Sequence, residues 1–97
     1  MKHPFRFAAA AAAAAFALSG QAAEPIVVGV SIAQSPPGSV VQGTQVKDGI
    51  EIVTKMINDK GGVLGRELKM IYEDDQGIPE KGRAAAEKLI TRDKVVA

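Results

Sequence analysis

The sequence predicts an α/β fold, a parallel βαβαβ unit with an incomplete sheet, on three observations. A β-rich apolar run is followed by a segment whose apolar residues recur every three or four positions. The pair then repeats, and a further β-rich run begins at the carboxyl terminus. Successive parallel strands joined by helices cross over right-handed, which gives a three-layer arrangement with the sheet in the middle.

The elements follow a segment that reads as an export signal. Lys2, His3 and Arg6 form a positive head, Phe7 to Leu18 is an unbroken apolar run, and Ser19 to Ala23 supplies small residues for cleavage. Gly20 and Ala22 place small residues at minus three and minus one, so the expected cut follows Ala22. This divides the chain into a signal peptide, residues 1–22, and a mature part, residues 23–97. The apolar run is shorter than the roughly 20 residues that cross a bilayer, and no second one follows, so no stable membrane insertion is expected.

Ile26 to Ile32, IVVGVSI, is almost continuously apolar, as suits a strand covered on both faces. Ala33 to Gly43 contains Pro36-Pro37-Gly38 and reads as a loop at the carboxyl end of that strand, where open α/β sheets bind ligands. From Thr44 the period changes: Val46, Ile50, Val53 and Ile57 mark a helix, with Thr44 as its expected cap and Asn58 to Gly62 as its stop. Glu51 and Lys55 stand in the favourable i,i+4 order on its wetter side. Glu67 to Tyr72 reads as the second strand, and Glu73-Asp74-Asp75 as its solvated end. Pro79 opens a second helix that runs to Thr91, with Ala84, Ala85, Leu89 and Ile90 for packing, and Asp93 to Ala97 reads as the approach to a third strand.

Composition narrows the function classes. Removing Lys2 and Arg6 with the signal leaves ten basic against eleven acidic residues, so the net charge of +1 becomes about −1 and gives no reason to expect a nucleic-acid partner. There is no cysteine, and the single histidine, His3, leaves with the signal. Ordinary nucleophile–base pairs are therefore missing and no enzyme is expected. A Rossmann-type nucleotide enzyme, the weak alternative, would need G-x-G-x-x-G after the first strand, where Gly29 to Gln34 does not supply it; Glu73-Asp74-Asp75 has no His or Cys to complete a metal set. Gly61, Gly62 and Gly65 read as turn glycines, Tyr72 as a packing residue, and no cofactor is called for.

The segments IVVGVSIAQS and INDKGGVLGRELKMIYEDDQGIPEKG carry a more selective pattern: helix stop, Gly-Gly turn, strand, acidic strand end and Pro-started helix in order. Ile26 to Ala97 resembles the beginning of the branched-chain amino-acid (leucine/isoleucine/valine) type of periplasmic solute-binding protein, the capture component of ABC importers. The resemblance implies the amino-terminal part of a type 1 periplasmic-binding, Rossmann-like lobe. It also implies a periplasmic location, an amino acid, amide or related small solute as ligand, and ABC permease subunits as partners of a full-length protein. In that family the loop after the first strand forms one wall of the cleft, so Ser35, Ser39 and Gln42 are the candidate ligand-binding residues. Gln42 falls where leucine-binding members place an aromatic residue over the ligand, and an amide there favours a more polar or differently placed solute. The groups that grip the ligand's carboxylate and ammonium follow the third strand or lie in the second lobe. On length alone the chain is expected to be an incomplete binding protein. The alternative is a truncated or degenerate exported product that binds nothing, and the third-strand stub is expected to pair with further sequence, another chain, or nothing stable.

Overall fold

The computed structural model describes residues 23–97; the expected signal segment 1–22 and its cleavage position after Ala22 lie outside the described residues. The element order is β1 (Ile26–Ile32), α1 (Val40–Asp59), β2 (Leu68–Asp74) and α2 (Pro79–Thr91). β1 and β2 pair in parallel from Ile26 against Leu68 to Ile32 against Asp74. The other edge of β1 is taken by the carboxyl-terminal segment: the Val96 N–H donates to the Val27 carbonyl at 2.9 Å, and the Gly29 N–H donates to the Ala97 carbonyl at 2.9 Å. The expected third strand is thus present as two bonds running alongside β1 in the same direction. The result is an α/β unit whose sheet is incomplete.

The helices occupy opposite faces. A Cβ on Gly29 would lie 2.9 Å from the Leu89 side chain, so Gly29 faces α2. Because side chains alternate along a strand, Val28, Val30 and Ile32 face α1. The parallel register carries the alternation to β2, where Leu68 and Met70 line a groove with Ile50, Val53 and Ile57 of α1. Ala85 and Leu89 of α2 are the buried apolar side chains among the described residues. Pro79 in the first turn, which needs no amide partner there, starts α2 where the sequence predicts, with Glu80 at the positive end of its dipole and Lys88 in the last turn.

α1 departs from expectation at its start. It begins a turn earlier than Thr44, and Ser39 is its cap, the Ser39 hydroxyl accepting from the Gln42 N–H. The reason lies in Gly43, a poor helix former that resembles a loop residue in sequence. Its missing side chain lets α1 pass against the end of β1, since a Cβ there would sit 1.7 Å from the Ala33 carbonyl oxygen. Lys55 pairs with Asp59 at 2.6 Å rather than with Glu51, which lies beside Tyr72 at the α1–β2 boundary.

The helix stop matches the residues that predict it and adds a link that they do not reveal. The Gly61 and Gly62 N–H groups return to the Asn58 and Ile57 carbonyls at 3.0 Å each. Gly62 holds φ +80, and its Cβ position would lie 2.0 Å from the Arg66 carbonyl oxygen, so only glycine fits. The Asn58 side chain then donates to the Leu68 carbonyl and accepts from the Leu68 N–H, both at 2.8 Å, tying the end of α1 to the start of β2. Arg66 donates to the Glu24 carbonyl at 2.8 Å and so holds the approach to β1. β2 is Leu68–Asp74 rather than Glu67 to Tyr72: it runs the full length of its partner, and the Asp75 N–H still donates to the Ile32 carbonyl at 3.1 Å.

Candidate functional site

The carboxyl ends of β1 and β2 bring two turns together. Ala33 to Ser39 leads from β1 into α1, and Asp75 to Ile78 leads from β2 into α2. Between them lies an open depression of about 320 Å³, lined by Ile32, Ala33, Ser39, Gln42, Val46 and Gly77, with Gly43 at the back. Its lining combines apolar Ile32, Ala33 and Val46 with polar Ser39 and Gln42, the mixture that small-molecule sites use to bury a ligand and orient it.

Two of the three sequence candidates meet there. Ser39 lines the depression, but its hydroxyl oxygen is engaged as the α1 cap. Gln42 lines it from the first turn of α1. Its backbone N–H is used by the cap, while its exposed side-chain amide enters none of the hydrogen bonds among the described residues. Ser35 points elsewhere: its hydroxyl donates to Asp74 Oδ2 at 2.5 Å.

Asp74 is the residue that sequence reading passed over as part of a solvated strand end. Its Oδ1 accepts from the Gln34 N–H at 2.8 Å and from the Gln76 N–H at 3.0 Å, so this exposed carboxylate serves three donors. The Ser35 hydroxyl foremost, then the Gln34 N–H, holds the Asp74 carboxyl below its ordinary pKa, because each bond favours the charged form. Asp75 accepts two hydrogen bonds of its own, from the Ser31 hydroxyl and from the Gly77 N–H at 2.8 Å each. Glu73 points to the other face and pairs with Lys88, which also meets Asp93 at 2.9 Å; these partners, Glu73 first, raise the Lys88 pKa. The three adjacent acids thus have three separate tasks. The contacts from Asp74 to Gln76 and from Asp75 to Gly77 are two-residue Asx turns that the sequence could have signalled. The reach from Asp74 back to Gln34 and Ser35 depends on pairing two strands far apart in sequence, and no local pattern reports it.

Tyr72 packs toward α1, with the Lys47 ammonium 4.8 Å from its ring centre. Its hydroxyl is buried without a partner among the described residues, and burial, with the Glu51 charge adding to it, raises its pKa. A larger gap of about 570 Å³ lies under α1 against Leu68 and Met70, but its lining carries no charged group, so it has little with which to orient a polar solute. Among the described residues no cluster of His, Cys, Asp or Glu is placed to hold a metal ion, and no helix is long and apolar enough to cross a membrane.

The comparisons with known proteins agree with this architecture. The family model for periplasmic binding proteins matches residues 25–97. A Leu/Ile/Val-binding protein homolog 1 of Brucella abortus is 34% identical over 83 residues, covering 86% of this chain and 22% of the relative. The Leu/Ile/Val-binding protein BraC3 of Rhizobium johnstonii is 42% identical over 48 residues, covering 50% of this chain and 13% of the relative. Among solved structures, the branched-chain amino-acid transporter substrate-binding protein LivJ of Streptococcus pneumoniae, in complex with isoleucine, superposes with a TM-score of 0.69. It is 22% identical, over 73% of this chain and 20% of that one, a likeness of fold. The chain spans about one-fifth of the length of the Brucella relative it matches.

Proposed function

The chain belongs to the periplasmic binding protein family, and on that premise we propose that it takes part in the extracytoplasmic capture of an amino acid, amide or related small solute for an ABC-type importer. Family membership gives a periplasmic location, and the family is one of binding proteins. The proposed ligand-facing residues are Ser39 and Gln42 at the depression, with Ser35 fixing the loop behind them; ABC permease subunits are the proposed partners of the loaded protein. Residues 1–22 are proposed as the signal, cut after Ala22 and leaving 23–97 as the mature part.

The observation that carries the reading is the position of the Gln42 amide at the carboxyl end of a parallel sheet, in the first turn of a helix whose leading loop is tied down from β2. That end is where α/β sheets present ligands. The relatives are named for leucine, isoleucine and valine, yet an exposed amide suits a polar group better than an aliphatic side chain. Calorimetric titration of the protein, produced in full from its gene, with leucine, isoleucine, valine, glutamine, asparagine and acetamide tests the proposal. Saturable binding of at least one, weakened by Gln42→Ala, is the expected outcome; absence of heat with all six overturns it and favours an exported product that binds nothing. Mass spectrometry of the exported protein checks the cut after Ala22.

A further inference from the structure

The wall of the depression is held in part from outside its own loop. Gln34 to Gly38 lies outside both α1 and the sheet, and it meets the β2–α2 turn at Gly38, which packs on Gln76 and Gly77: a Cβ on Gly38 would stand 2.8 Å from the Gln76 carbonyl oxygen, and one on Gly77 3.0 Å from the Gly38 Cα. Beyond that contact, what joins the first loop to β2 is the Asp74 carboxylate, through the Gln34 N–H and the Ser35 hydroxyl, while its third bond, to the Gln76 N–H, fixes the facing turn. One side chain therefore spans both rims.

We propose that Asp74 is a positioning residue for solute capture: it touches no ligand, but it holds the β1–α1 loop against the β2–α2 turn and so places Ser39 and Gln42 on the cleft. The significance of the cleft rests on the binding function proposed above; the clamp itself rests on the geometry alone. Two oxygens divide the work. Oδ1 takes both backbone N–H groups, and Oδ2 takes the one donor that can reorient, the Ser35 hydroxyl. This division predicts which replacement is tolerated. In Asp74→Asn the side-chain oxygen keeps the two N–H bonds, and the amide nitrogen faces a hydroxyl free to rotate and accept. In Asp74→Ala all three donors lose their partner, and binding has to order a loop that is no longer held.

Amide hydrogen exchange and calorimetry with leucine and glutamine as probes, on the protein produced in full, separate the possibilities. In Asp74→Ala the Gln34 and Gln76 amides are expected to exchange roughly tenfold faster or more, while the ladder amides of Val28 and Ile71 keep their protection. Affinity for whichever probe binds is expected to fall roughly tenfold. Asp74→Asn is expected to restore both readouts to near the parent level, and Ser35→Ala to release Gln34 only in part. Unchanged exchange in Asp74→Ala, or an Asn variant as impaired as the Ala variant, overturns the proposal. So does loss of Val28 and Ile71 protection together with that of Gln34, because Asp74 would then hold the fold rather than the loop. If the parent binds none of the six solutes named above, the significance given to the cleft fails, and the exchange comparison still decides whether Asp74 is the clamp.

Discussion

α1 and α2 rest on opposite faces of the same two strands, yet they are seated very differently. α2, the shorter, lies across β1 and β2 and buries Ala85 and Leu89, the latter pressed into the space that Gly29 leaves open. α1, the longer, packs on β2 and fully buries only Gly43, leaving Val41, Ile52, Val53 and Met56 largely exposed. A helix can be secured by side chains driven into a sheet or by a backbone brought so close that no side chain fits. α2 uses the first device and α1 the second, reinforced by the Ser39 cap and the Asn58 tie at its ends.

The largest expected effect breaks α1 at its single buried position. Gly43→Ala would drive a methyl group into the Ala33 carbonyl oxygen, and the helix start must move; a loss of about 4 kcal/mol in urea unfolding is expected. Next comes the α2 counterpart. Leu89→Ala removes a side chain that is 5% exposed, and a loss of about 3 kcal/mol is expected in the same assay. If Gly43→Ala proves milder than Leu89→Ala, α1 is not anchored by close approach.

A smaller, local effect follows from charge. The Asp74 pKa is depressed, so its contribution is complete above the ordinary aspartate value of about 4 and is lost as pH falls through the lower folded value. The Lys88 pKa is raised, so its contribution is complete below the ordinary lysine value of about 10.4 and is lost as pH rises through the higher folded value. Acid should therefore loosen the loop leading into α1 first, and alkali the end of α2. Nuclear magnetic resonance of the Gln34 and Asp93 amides across pH checks the order. The smallest effect is expected at the exposed α1 residues. Ile52→Ser and Met56→Ser should each change stability by no more than about 0.5 kcal/mol, and a larger loss would show that this flank is covered in solution.

Much of the fold was legible because its signals are local. IVVGVSI gives β1, and Pro79 followed by a small-residue stripe gives α2 with both bounds as expected. The start of α1 was not legible, because Gly43 is disfavoured in a helix and its compensation, contact with Ala33, is invisible until β1 and α1 are placed together. At the site, sequence puts Ser39 and Gln42 in one loop; in the structure Ser39 caps α1 and Gln42 stands in its first turn, and both line the depression. Sequence reading placed Ser35 with them, whereas that hydroxyl is turned to Asp74, and it read Asp74 as merely solvated, since hydrogen bonds that join residues about forty positions apart leave no periodic trace.

The Asn58 tie to Leu68 has a consequence at the far end of β2. By gripping both backbone groups of one residue, it sets the phase of the strand at the point where pairing begins. A slip of one position would invert every side chain that follows, bringing Lys69 and Glu73 under α1 and sending the Asp74 carboxylate to the side where Gln34 and Ser35 cannot meet it. A single amide at the bottom of the sheet thereby decides which face the Asp74 carboxylate occupies at the top.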